Sequence, residues 1–488
     1  MAVISRMLPV RARERPDDVA FLDGADGRDL TWRAVAAHAQ RWRELARDLP
    51  PRTRVGLVAA DPLVFTASYL GCLDAGLTAV PVDPRLPEAE LATTLARLRT
   101  GLVATDRPDL VPARPTWHVT LAGPRPVRAA RVRPDGYALR PAVLLTSSGT
   151  TGAPKGIPLS EWQLVHTARR VARHHRFGRG ERGYTPLPLF HVNAQVMGLL
   201  ATVISGGSLV LDRRFSAGEY WERVQRWKPT WLNTVPAILA SLTRQAAPPD
   251  EVARRIRFAR SASAPLSPEI ARRFTARTGI GVLETYGMSE AAGQITANPL
   301  APARRRTGSV GLPVGVGLVV AAPDGTVLPP GERGEVRLRG RQVVSRYLEL
   351  DGLSERIRPA RTSDGWLPTG DVGELDADGF LTLAGRVDDV INRGGEKIYP
   401  QAVEDVLLAH PAVTAVAVVA APDERLGQVP VAFVTGRPGT GLEGALRDWC
   451  EHRLARYQRP AVIEVTPALP LGPTGKVLRR ALRAEAGR

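Results

Sequence analysis

The sequence predicts an α/β protein: a large N-terminal part of α/β subdomains with a β-rich subdomain, then a small C-terminal α+β domain. Three observations carry this. Apolar strand-like runs alternate with amphipathic helical stretches between residues 53 and 105. From Gly308 the texture changes to short strands and turns, and a last segment from about residue 388 mixes strands with helical stretches. At 488 residues the chain also exceeds what one core supports, so two or three domains are expected.

In order, RVGLVAA (54–60) reads as a strand, VFTASYLGCLDAG (64–76) as a helix and TAVPVD (78–83) as a strand. PEAELATTLARLR (87–99) is again helical and GLVATD (101–106) a strand, a rhythm of βαβ units around a largely parallel sheet. Residues 107–140 are polar and proline-rich and read as a connection. Strand AVLLTS (142–147) follows, then a glycine-rich loop, then helical EWQLVHTARRVARHH (161–175). A further α/β section runs to about residue 300. In the β-rich part, GEVRLRG and GELDADGFLTLAG carry strands, with PDG and DADG as hairpin signals. The last segment offers strands TAVAVVAAP and VPVAFVTG, and helical PQAVEDVLLAH and GALRDWCEHRLARY.

Composition excludes several classes. Hydrophobic residues at 44% and charged residues at 24% are ordinary for a globular protein. No run is long and apolar enough to cross a bilayer, and the first residues lack a signal-peptide core, so no membrane insertion is expected. Cys72 and Cys450 cannot form a disulfide framework and read as small buried side chains in a reduced compartment, giving a cytoplasmic expectation. The formal charge is +17, yet arginines are scattered among acids and do not alternate with aromatics, so no nucleic-acid partner is expected. Only four basic residues are lysine: Lys155, Lys228, Lys397 and Lys476. Where arginine has replaced lysine almost everywhere, a retained lysine marks a need for a compact point charge. Three of the four stand in glycine-containing segments, and Lys228 reads as a surface residue.

The loop after residue 144 reads LLTSSGTTGAPKGIPLS. It lacks the order of a Walker loop, in which lysine follows the last glycine and precedes Ser or Thr. It nevertheless supplies free amides, hydroxyls and an ammonium at the carboxyl end of a strand, the requirements of a polyphosphate site.

With this loop, the chain resembles the acyl-adenylate-forming superfamily of acyl-CoA synthetases, adenylation domains and luciferases. Further segments fall in that family's order: PLPLFHVNA (186–194), SASAPLSPE, LETYGMSEAAG, PTGDVGELDADGFL, GRVDDVINRGGEKIYP and GPTGKVLRR. The resemblance runs essentially end to end. It implies an N-terminal adenylate-forming domain over 1–385 and a mobile C-terminal domain over 386–488. It also implies a reaction in which ATP and Mg²⁺ activate a carboxylic acid as acyl-AMP with release of pyrophosphate. The acyl group then passes to the thiol of CoA, or to a carrier-protein phosphopantetheine or an amine in a biosynthetic pathway. A decayed, non-catalytic nucleotide-binding module is the remote alternative.

By resemblance, Ser147, Ser148, Gly149, Thr150, Thr151 and Lys155 grip the β- and γ-phosphates. Glu290 holds Mg²⁺, an oxygen ligand for a hard cation, and Ser289 donates to the α-phosphate. Ala262, Ser263, Ala264 and Pro265 line the adenine slot with Glu284, Thr285 and Tyr286, the last stacking on the base. Asp371 and Arg386 contact the ribose. Lys476 bridges the reacting carboxylate and α-phosphate, stabilising charge in the transition state. Asp388 is the hinge. Gly394 and Gly395 line a pantetheine tunnel near Lys397, and Arg459 matches a position that binds a CoA phosphate.

His191 borders the reacting carboxylate, with catalytic expectation, and Asn193, Gly293 and Gln294 complete the acid pocket. Histidine in place of aspartate argues against an amino acid, and Thr285 in place of arginine argues against malonate. The framework is nearest to oxalate-CoA ligases, but two histidines of that group are Asn193 and Gly293 here. Their loss weakens recognition of a second carboxylate. The expected substrate is a small polar or aromatic acid, and the sequence leaves the oligomeric state open.

Overall fold

The alternation between residues 53 and 105 becomes the parallel centre of a nine-stranded sheet. Strand Arg54–Val58 lies between Thr78–Pro81 and Leu102–Thr105, parallel to both. Every residue of Arg54–Val58 is buried, as expected of a strand covered on both faces. The computed structural model describes residues 3–111, 114–128, 137–147, 155–350, 355–436, 441–472 and 476–487. Helix Pro62–Asp74 starts on a sound cap, with the Asp61 carboxylate accepting from the amides of Leu63 and Val64. Its residues are all buried, because it touches strands of this sheet and also Val19–Asp23 of a second one.

The proline-rich stretch 107–140 differs from the expectation of a plain connection. It carries strands Thr116–Thr120 and Gly123–Arg128, paired as a hairpin at the edge of the first sheet. Trp117 and Val119 bury there, and Pro124 and Pro126 are tolerated because their strand is the outermost.

A second nine-stranded sheet has Arg182–Thr185, Ser208–Leu211, Trp231–Thr234, Ala259–Ser261 and Val282–Met288 in parallel. Their carboxyl ends open in one direction, where α/β sheets bind ligands. The β-rich part is a four-stranded antiparallel sheet of Gly317–Ala321, Arg333–Arg339, Leu367–Leu375 and Leu381–Arg386. The DADG turn forms with Asp376 accepting from the amides of Asp378 and Phe380.

Beyond it stands a five-stranded sheet built on Val413–Asp423 and Gly427–Gly436, with helices Pro400–Leu408 and Leu442–Glu451. Buried clusters up to Leu381 are separate from those that begin at Ile391. Cys72 and Cys450 are free and buried. No helix among the described residues is long and apolar enough to cross a membrane.

Candidate active site

Strands Val143–Ser147 and Lys155–Leu159 are antiparallel neighbours, and Ser147 stands directly opposite Lys155. Both ends of the glycine-rich loop are therefore anchored side by side. Ser148, Gly149, Thr150 and Thr151, the loop residues expected to hold phosphate, lie outside the described residues. Lys155 also pairs with Glu349 of strand Arg346–Leu350, which brings Tyr347 close. The Lys155 ammonium sits 5.4 Å from the centre of the Tyr347 ring, within cation–π range. The Tyr347 hydroxyl in turn donates to Glu290 Oε1 at 3.4 Å.

Glu290 lies in the one-turn segment Ser289–Ala291 that follows the central strand Val282–Met288. Burial pushes its carboxyl above the ordinary range, against the hydroxyl of Tyr347 and the charges of Arg386 and Lys155. A half-buried carboxylate with no ion pair among the described residues suits a divalent ion, since binding the ion displaces the proton.

On the same strand, the Tyr286 hydroxyl donates to Asp371 Oδ2 at 2.5 Å. Arg386 donates to the other carboxylate oxygen at 2.9 Å, because Asp371 and Arg386 are direct cross-strand partners. Three residues assigned from the sequence to the nucleoside thus form one connected group. Gly287, between Tyr286 and Glu290, must be glycine: a Cβ there would lie 2.3 Å from the carbonyl oxygen of Gly293.

The segment Ala262–Pro265 leaves the end of strand Ala259–Ser261 beside this strand. Ser263 has φ 74°, a left-handed conformation that a non-glycine residue adopts under constraint. Its hydroxyl accepts from the Asn193 amide at 3.0 Å. Thr285 donates to the carbonyl of Ser261 at 3.3 Å. Burial, then the nearby Asp405 of the C-terminal unit, pushes the Glu284 carboxyl up to about 8.

His191 precedes a π-helix over Asn193–Leu200, a distortion frequent at functional sites. Burial drives its imidazole down to about 4, with Asp83, Arg85 and Lys476 in its field, so it is neutral at pH 7. Its buried Nε2 has no hydrogen-bond partner among the described residues. Gln294 is 4% exposed, and neither of its amide atoms has a partner there. At Gly293, with φ 115°, a Cβ would meet Met197 Cε at 2.7 Å, so methionine occupies that side of the pocket.

The Lys476 side chain is exposed, yet nearby protein removes part of its hydration. Loss of hydration holds its ammonium below the ordinary lysine value, while Asp371, Asp389 and Glu290 favour the charge and Arg386 opposes it. A residue from the C-terminal unit therefore shares one electrostatic field with the nucleoside and metal candidates. Asp388 lies in the turn Val387–Asp389 that joins the two units, and Arg483 donates to its carbonyl at 3.1 Å. Gly394, Gly395 and Lys397 lie instead on an exposed hairpin, and Arg459 donates to the carbonyl of Glu451 at 2.8 Å.

Tyr347, Arg260, Asn233 and Asp405 are drawn into the site without being expected there. Tyr347 belongs to no motif and arrives through sheet pairing. Arg260 had a legible signal, a charge inside the apolar run that becomes strand Ala259–Ser261.

Residues 8–348 match the model of the AMP-binding enzyme family, and residues 402–476 match that of the AMP-binding enzyme C-terminal domain. The chain is 37% identical to the sulfoacetate–CoA ligase of Cupriavidus necator, over 98% of this chain and 96% of that one. It is 32% identical to the oxalate–CoA ligase of Arabidopsis thaliana, over 88% of each. Among solved structures, ATP-bound MatB from Rhodopseudomonas palustris superposes with a TM-score of 0.87 at 25% identity, over 99% of both chains.

Proposed function

We propose an activity for this chain from the premise that it belongs to the AMP-binding enzyme family: it is an AMP-forming acid–thiol ligase. It joins a small carboxylic acid to the α-phosphate of ATP, releases pyrophosphate, and passes the acyl group to CoA. Relatives named for sulfoacetate and oxalate support a small acid and a CoA acceptor. A carrier-protein acceptor has no specific observation in its favour. The absence of a membrane-crossing helix among the described residues is compatible with a cytoplasmic enzyme.

One observation carries the reading. Lys476 reaches the field of Asp371, Arg386 and Glu290, although it belongs to the unit beyond the Val387–Asp389 turn. We assign that unit to 386–488 and the adenylate-forming part to 1–385. Two anions, a carboxylate and a triphosphate, must approach each other, so cations have to offset their repulsion. Lys155 serves the terminal phosphates with the glycine-rich loop. Lys476 serves the point where carboxylate and α-phosphate meet. Asp371 orients the ribose hydroxyls, held in place by Tyr286 and Arg386. Ser289 donates to the α-phosphate, and Ala262, Ala264, Glu284 and Thr285 border the adenine. Neutral His191 can lie beside the carboxylate without trapping it in an ion pair. Glu290 would hold Mg²⁺, which supplies charge neutralisation at the phosphates.

Lys476 shares the field of Asp371 and Glu290, while Gly394 and Gly395 lie on an exposed hairpin. That fits the first half-reaction, and rotation about Asp388 would exchange the two faces for the second. Pyrophosphate release across a panel of small acids, with and without CoA, tests the assignment. Expected are acid-dependent pyrophosphate and, with CoA present, an acyl-CoA. No pyrophosphate with any acid would overturn it.

A further inference from the structure

Arg260 has no task in the reaction just described. It sits on strand Ala259–Ser261, in the interior of the second sheet between Trp231–Thr234 and Val282–Met288, at 3% exposure. A buried guanidinium ordinarily needs an anion, because losing its hydration costs several kcal/mol. Arg54, equally buried, has one in Glu355. Among the described residues Arg260 has only neutral partners: Nη1 donates to Oδ1 of Asn193 at 3.0 Å and of Asn233 at 2.9 Å. Its Nε is without a partner, and no carboxylate among the described residues pairs with it. Burial accordingly lowers its proton affinity to about 9.

The two asparagines are fixed in that role. The Asn193 amide donates to Ser263 Oγ and the Asn233 amide donates to Thr185 Oγ1, which turns both oxygens toward the guanidinium. Asn193 begins the π-helix two residues after His191, and strand Gly293–Ala297, which carries Gln294, packs on the same π-helix. Among the described residues, the polar atoms left without partners here include the Arg260 Nε, both amide atoms of Gln294, the His191 Nε2, Gln195 Oε1 and Ser261 Oγ. The donors in that set, Arg260 Nε and Gln294 Nε2, are short of an acceptor, and an anion would supply it. Met197 fills the side beyond Gly293, which disfavours a long tail.

We infer that Arg260 binds a second anionic group of the acid, so the enzyme's substrate is a short acid with a carboxylate or sulfonate besides the carboxylate it activates. This rests on the ligase reading above. It answers the sequence-based expectation that losing two histidines weakens recognition of a second carboxylate: the cation comes from Arg260 on strand Ala259–Ser261 instead.

The test measures kcat/KM for pyrophosphate release with matched pairs: sulfoacetate against methylsulfonylacetate, malonate against malonamate, and succinate against succinamate. The wild type should prefer the dianion by at least about tenfold in one or more pairs. Arg260→Gln should remove that preference. Asn193→Asp, which places a carboxylate next to Nη1 and should fold, should remove it too by neutralising the guanidinium internally. Preference for the neutral member in every pair, or variants that lower both members equally, would overturn the inference and leave the ligase reading standing. Silence with every acid would overturn both.

Discussion

Replacing Lys476 by alanine should slow acyl-adenylate formation by about 100-fold or more while sparing thiol transfer. An ammonium about 4 Å from a unit negative charge contributes about 4 kcal/mol at an effective dielectric near 20. Removal of one preorganised donor in other enzymes costs about 2.7–4 kcal/mol, or about 100- to 1000-fold in rate. The lower end applies here, because Arg386 already supplies positive charge to the same field and Asp371, Asp389 and Glu290 offset part of the lysine's. Arginine should rescue poorly, since a planar guanidinium cannot replace a compact ammonium between two oxygens. Because loss of hydration holds the ammonium below the ordinary lysine value, wild-type adenylation should also decline at lower pH than that value implies. The assay is single-turnover pyrophosphate release, beside CoA transfer from a supplied acyl-adenylate. Equal losses in both steps, or a loss under about tenfold in the first, would refute the reasoning.

Two further outcomes concern the C-terminal unit. Glu284 is pushed up to about 8 by burial and then by Asp405, and Asp405 up to about 7 by burial, against a hydrogen bond from Ser267. Carboxyls with raised values in the docked state stabilise docking below the ordinary carboxylate range, and that stability is lost as pH rises through about 7 to 8. Hydrogen exchange of helix Pro400–Leu408 should therefore quicken between pH 6 and 9, beyond the intrinsic rate, and Asp405→Asn should flatten the change; an unaltered profile in that variant would exclude the mechanism. Gly395→Ala should leave adenylation within about threefold but slow acyl-CoA formation by at least about tenfold. A Cβ at Gly395 meets nothing within 4 Å in this orientation, whereas a narrow thiol tunnel would feel it. Its φ of 97° adds strain of about 1–3 kcal/mol, so equal losses in both steps would point to folding instead.

Read alone, the sequence determined the α/β class and the rhythm of strands around residues 53–105, and it suggested the chemistry of the site. Those features are local: hydrophobic period, turn residues and short motifs each lie within a few residues of chain. Asp371, Arg386, Tyr286 and Glu290 could be named that way because each stands in a short motif, Tyr286 and Glu290 in the same one. The hairpin at 116–128 was hidden because edge strands tolerate proline, so the usual breaker signal misled. Tertiary structure alone decided how Lys155, Tyr347 and Glu290 line up, since pairing of strands about 190 residues apart brings Tyr347 beside Lys155. It alone also revealed that Arg260 is buried with no carboxylate partner among the described residues. Burial and the identity of neighbours are set by packing of distant segments, and nothing in the local run IRFARSAS states which side chains will close over the arginine or that none will carry a negative charge.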